Sequence, residues 1–83
     1  MERDEIREVI MELLQDLHED IDFDKEEALV DDKILDSFDL VTLVAELGDE
    51  FDVEITAKEF VTENFNSLDR LADMIVRLTD DEV

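Results

Sequence analysis

The residue types that could do chemistry in this chain are few. There are two serines, Ser37 and Ser67, one histidine, His18, and no cysteine, beside 28 aspartates and glutamates. Acid–base catalysis needs carboxyl groups whose surroundings drive their pKa values apart. Carboxylates this abundant read as a solvated surface. A serine nucleophile needs a base within hydrogen-bond reach and an acid to orient that base, and nothing in the sequence places His18 beside Ser37. A catalytic centre built from the chain's own groups is therefore not expected. Ser37 stands out by its setting, in the run Lys33-Ile34-Leu35-Asp36-Ser37-Phe38-Asp39-Leu40, where a long acidic stretch gives way to a helical pattern. If the molecule does chemistry, the reactive group has to be added to it, and Ser37 is the place.

A metal site fares no better. Asp20-Ile21-Asp22-Phe23-Asp24 has the opening of an EF-hand loop. Lys25 then stands where the turn glycine is required, and Asp31 where the bidentate glutamate is required. Loose association of divalent cations with an acidic surface is the better reading.

The elements that must position Ser37 can be read from hydrophobic spacing. Ile6, Val9, Ile10, Leu13, Leu14 and Leu17 mark one face of a helix over 2–18. Acids fill its first turn, and His18 falls in its last, a capping position for a cation. Residues 19–36 form a long acidic connection with Phe23, Leu29, Val30, Ile34 and Leu35 as apolar anchors. A second helix is expected over 37–51, capped by Asp36 or Ser37, with Val41, Val44, Leu47 and Phe51 as its stripe. Gly48 inside it implies either close packing or a loose last turn. A short helix over 57–62 follows from Thr56 and Glu59 as a capping box, with Phe60 as its anchor. The last helix, 67–79, is capped by Asn66 or Ser67, and an acidic tail covers 80–83. Met11 and Met74 fall on or beside the stripes and read as core filling. The fold class is all-α: one domain over 1–83, a small antiparallel four-helix bundle of three main helices and one short one, with a long first loop.

Composition bounds the partners. Seven basic residues leave a formal net charge of −21. Phosphate backbones and anionic membrane surfaces would repel such a chain, whereas basic protein patches would be met quickly through electrostatic steering. No apolar run reaches the ~20 residues of a transmembrane helix, and the N-terminus lacks the pattern of a signal peptide. A cysteine-free chain is indifferent to redox compartment and compatible with the cytosol. At 83 residues the core is modest, since a domain of this size buries only about 60–65% of its unfolded surface.

At a helix start, the Ser37 hydroxyl would lie beside backbone N–H groups that have no helical acceptor, at the positive end of the dipole. A phosphodiester attached there would be stabilised by both. At this point the sequence resembles the acyl carrier proteins and the related peptidyl and D-alanyl carriers. The resemblance rests on Asp36-Ser37-Phe38-Asp39-Leu40-Val41, then Leu43-Val44, Leu47 and Asp49-Glu50-Phe51-Asp52-Val53-Glu54-Ile55, with Leu29-Val30-Asp31-Asp32 resembling the end of the family's first loop. Ile34-Leu35-Asp36-Ser37-Phe38 is most similar to the stand-alone and D-alanyl type. The resemblance implies a carrier rather than an enzyme. It implies a 4′-phosphopantetheine arm on Ser37, transferred from coenzyme A by a phosphopantetheinyl transferase, whose thiol holds an acyl or aminoacyl group as a thioester. It associates Asp36 with the transfer and its magnesium, and makes the second helix the surface met by loading ligases and by acyltransferases or synthases.

Within that helix Asp39, Glu46, Asp49 and Glu50 are expected to attract basic patches, and Phe38 and Leu40 to add apolar contacts near the arm. Phe38 stands where Leu is commoner, Lys33 where Gly often precedes the motif, and Thr42 and Gly48 where fatty-acid carriers are often acidic. These departures point to a specialised pathway rather than housekeeping fatty-acid synthesis. A cytoplasmic monomer is expected. The aromatic side chains Phe38, Phe51, Phe60 and Phe65 suggest a well-filled interior and hence a short or polar cargo. The rival reading is an acidic helical interaction module that never carries an arm.

Overall fold

The computed structural model describes residues 2–80. It contains four helices, α1 (Arg3–Leu17), α2 (Ser37–Phe51), α3 (Thr62–Phe65) and α4 (Leu68–Asp80), and no strand among the described residues. The all-helical expectation is met, and the three long helices lie close to their sequence-read bounds.

Helix α1 buries Ile6, Ile10 and Leu14, spaced four apart on one face. Helix α4 answers with Leu68, Leu71, Ala72, Met74 and Ile75, all essentially without solvent contact. At the margin of this seam Arg3 Nε lies 2.8 Å from Asp73 Oδ1 and Arg7 Nε 2.9 Å from Asp69 Oδ1. Moving up α1 means moving down α4, so the two helices run antiparallel. Solvent-facing pairs of this kind fix alignment more than they stabilise.

The long connection between α1 and α2 is packed rather than loose. Phe23, Leu29 and Leu35 enter the core, and Val30 and Ile34 pack against it. Asn66, expected only as a possible cap, does more. Its side-chain oxygen accepts from the N–H groups of Val30 (3.0 Å) and Asp31 (3.1 Å), and its carbonyl accepts from Leu29 N–H (2.8 Å). The connection is thereby tied to the segment that starts α4.

Gly48 is explained by close approach. Asp52 takes a left-handed conformation with φ 53° and ends α2. The chain then folds back so that a Cβ on Gly48 would lie 3.2 Å from the Val53 carbonyl oxygen.

Three expectations are corrected. The short third helix is Thr62–Phe65 rather than 57–62. Glu59 does not close a capping box with Thr56, because its carboxylate takes both Nη atoms of Arg77, at 2.9 and 2.6 Å. With that partner gained, residues 56–60 form turns. His18 does not cap α1 through its ring, which instead reaches α2. The tail expected at 80–83 lies, beyond Asp80, outside the described residues.

Candidate functional site

Two helix starts carry the two serines, and their local chemistry differs. At α2 the cap is Asp36. Its Oδ1 accepts the Asp39 N–H at 2.8 Å, and the Asp39 side chain accepts the Asp36 N–H at 3.3 Å, a complete capping box. Ser37 is thus the first residue inside the helix, exposed, with the capping work done by its neighbour. At α4 the Ser67 hydroxyl itself accepts the Arg70 N–H at 3.1 Å, and the residue is buried. Of the two serines, only Ser37 presents a hydroxyl that a modifying enzyme can reach.

The surroundings of Ser37 suit a phosphate-linked group. The first turn of a helix leaves N–H groups without helical acceptors, and the dipole favours an anion there. Of these groups, Asp39 N–H is taken by Asp36. Four residues before Ser37, Lys33 sits at φ 60°, a left-handed conformation that glycine adopts without cost and lysine does not. This explains why glycine is the ordinary residue at that place.

The acids expected on a recognition face divide in two. Asp49 and Glu50 are exposed. Asp39 and Glu46 are not free on the surface. The His18 Nε2 lies 2.7 Å from Asp39 Oδ2, and the Asp39 side chain keeps only 15% exposure. That hydrogen bond, with a lesser contribution from the Asp36 N–H, holds the Asp39 carboxyl below the usual carboxylate range against the opposing effect of burial. Glu46 is half-buried, and its Oε2 is covered without a hydrogen-bond partner among the described residues. Asp39 lies four residues before the buried Leu43 and Glu46 three after it, so both share its face. That spacing was the available signal that they turn inward.

The apolar residues also part company. Phe38 is 79% exposed and Val41 64%, so Phe38 is not interior filling. Phe23 and Phe65 fill the core instead. Leu40 is half-buried and lines a cleft of about 130 Å³ with Val30, Phe60, Val61, Thr62 and Phe65. A second cleft, of about 180 Å³, lies between Val41 and Val44 of α2 and Ile55, Thr56, Ala57 and Phe60. Phe60 borders both, its ring meeting Phe65 edge-on at 5.3 Å.

Comparison with known proteins points the same way. Residues 4–75 match the family model described as "Phosphopantetheine attachment site". The chain is 29% identical over 75 residues to the D-alanyl carrier protein of Streptococcus suis (strain 05ZYH33), covering 89% of this chain and 95% of that one. It is 28% identical over 75 residues to the D-alanyl carrier protein of Streptococcus sanguinis (strain SK36), with the same coverage. To that of Streptococcus gordonii it is 31% identical over 74 residues, covering 89% of this chain and 90% of the relative. No solved structure matches the chain.

Proposed function

Because the chain belongs to the phosphopantetheine attachment-site family, we propose that Ser37 is the residue that receives the 4′-phosphopantetheine arm. The protein is a carrier rather than an enzyme, its cofactor is 4′-phosphopantetheine, and its work requires partner enzymes such as transferases and ligases. The observation that carries the assignment to Ser37 is the split between the two helix starts. Asp36 caps α2 and leaves the Ser37 hydroxyl exposed, whereas Ser67 spends its hydroxyl on its own helix.

The chain's own residues then have definite tasks. The first turn of α2 supports the anionic phosphate through its N–H groups and dipole. Asp36 orders that turn through Oδ1, and its carboxylate stands beside Ser37 in sequence, where the magnesium of the transferase would be met. The arm supplies the thiol that a cysteine-free chain lacks. Partner enzymes meet Phe38 and Val41 close to the serine, and a basic patch on them meets Asp49 and Glu50 at the far end of α2. At 1.5 Å per residue that end lies about 18 Å along the helix axis from Ser37. Such encounters are fast and short-lived.

The cargo in this reading is an aminoacyl or other short acyl group, held in the cytoplasm within a specialised pathway. The D-alanyl carriers among the relatives favour an aminoacyl group. The clefts of about 130 and 180 Å³ are near the ~150 Å³ of a cavity that holds one benzene. Neither has room for a long chain unless Phe60 moves. Acyl groups of increasing length loaded on the arm test this: melting temperature should level off after a few carbons, and a steady rise with length contradicts it.

The attachment itself is tested by incubating the protein with coenzyme A and a promiscuous phosphopantetheinyl transferase. Mass spectrometry should show one arm on the wild type and none on Ser37→Ala. An interaction module without an arm would leave the wild type unchanged in mass.

A further inference from the structure

We propose that His18 is a positioning residue for Ser37, holding the first turn of α2 against the end of α1 so that the serine is presented for attachment. This rests on Ser37 being the attachment site.

The geometry starts from Asp39. Its carboxylate does two jobs at once: Oδ2 closes the capping box on the Asp36 N–H at 3.3 Å, and the same oxygen accepts from His18 Nε2 at 2.7 Å. An ionised carboxylate only accepts, so Nε2 carries the proton and donates. Among the described residues this is the side-chain hydrogen bond that joins the end of α1 to α2. It bridges 21 positions of sequence across the acidic connection.

Fully buried packing does not reach the start of α2. The helix buries only Leu43 and Leu47, both beyond its first turn, and the residues flanking the serine on the other side, Phe38 and Val41, face solvent. Apolar packing therefore anchors the middle of α2 fully, whereas its start has only the half-buried Leu40 against the core and shares its orientation with polar contacts. Asp36 orders that start internally, through its bonds to the Asp39 and Leu40 N–H groups. Those bonds lie within the turn and cannot aim it. His18 supplies the external reference. Its side chain is 33% exposed, so the clasp sits at the rim of the core, where it can set an orientation without being required for folding.

The experiment compares transferase-catalysed attachment to the wild type, His18→Ala and His18→Gln, with coenzyme A as the arm donor. Glutamine places an amide N–H near the position of Nε2 and keeps the donor. His18→Ala should lower kcat on the order of tenfold, because reacting groups are misaligned, at unchanged KM for coenzyme A. His18→Gln should restore most of it. In parallel, hydrogen exchange at the Asp39 and Leu40 amides should quicken in His18→Ala and return in His18→Gln, with exchange at Leu71 in α4 unaltered. Attachment to His18→Ala at the wild-type rate overturns the inference while the carrier reading stands. Slowed attachment accompanied by faster exchange throughout α4 also overturns it, since that marks general loosening. A wild type that takes no arm overturns the carrier reading and this role with it.

Discussion

The starts of α2 and α4 look alike in sequence and differ in use. Each has a polar residue, then a serine, then an apolar residue: Asp36-Ser37-Phe38 and Asn66-Ser67-Leu68. At α4 every member turns inward. Asn66 binds the acidic connection, Ser67 caps the helix and Leu68 enters the core. At α2 only the aspartate serves the fold. The serine and the phenylalanine after it are left to solvent. What separates a buried, capping serine from an exposed one here is which residue does the capping. When the preceding residue takes the cap, the hydroxyl is released.

Substitutions can break this contrast, the largest effect being in the core behind α4. Leu71→Ala should cost about 2–5 kcal/mol of stability, the range for emptying a well-packed site. Phe38→Ala, in the first turn of α2, should change stability by less than about 0.5 kcal/mol. Chemical denaturation measures both, and a costly Phe38→Ala would mean that the α2 surface is packed against something. Next come the caps. Asp36→Ala and Ser67→Ala should each cost about 1 kcal/mol, whereas Ser37→Ala should cost a few tenths at most. Equal losses from the two serines would erase the distinction.

Acid sharpens the comparison in another way. Asp39 at the start of α2 and Asp69 at the start of α4 both have lowered pKa values, caused first by His18 and by Arg7 respectively. An aspartate protonates near 3.9 when unfolded and lower in the folded chain. Each therefore contributes stability that is full above about pH 4–5 and is lost as pH falls through the folded value. Asp39→Asn and Asp69→Asn should each lower the melting temperature at pH 7 and flatten the acid limb of the stability profile. The smallest and most general effect is that of salt. With a net charge of −21, added salt or Mg²⁺ should raise the melting temperature by screening or binding carboxylates. A salt-insensitive transition would contradict the role assigned to repulsion.

Much of this was legible in the chain. The spacing of Ile6, Ile10 and Leu14, and of Leu68, Leu71 and Ile75, gives α1 and α4 because burial on one face is a periodic, local demand. The sequence offers Asp36 or Ser37 as the cap of α2, and the structure takes Asp36 with Asp39 completing the box. What was not legible depends on partners far away in sequence. Thr56 and Glu59 have the spacing of a capping box, but Arg77 outcompetes the backbone for the carboxylate. His18 looked like a cap for its own helix until its ring found Asp39. Charge alone makes Asp39 and Glu46 surface acids, although their positions around Leu43 put them on the inner face. Size alone puts Phe38 in the core, but it lies outside the buried stripe and is exposed, which leaves only its expected role as an apolar contact near the arm. Residue type misled in each case where the geometry of the helix face would have corrected it.

The most direct measurement is to locate the arm. Protein treated with coenzyme A and transferase is digested, and the modified residue is identified by fragmentation mass spectrometry in the wild type, Ser37→Ala and Ser67→Ala. The arm should be found on Ser37 in the wild type and in Ser67→Ala, and be absent from Ser37→Ala. An arm on any other residue, or none on the wild type, would contradict the account.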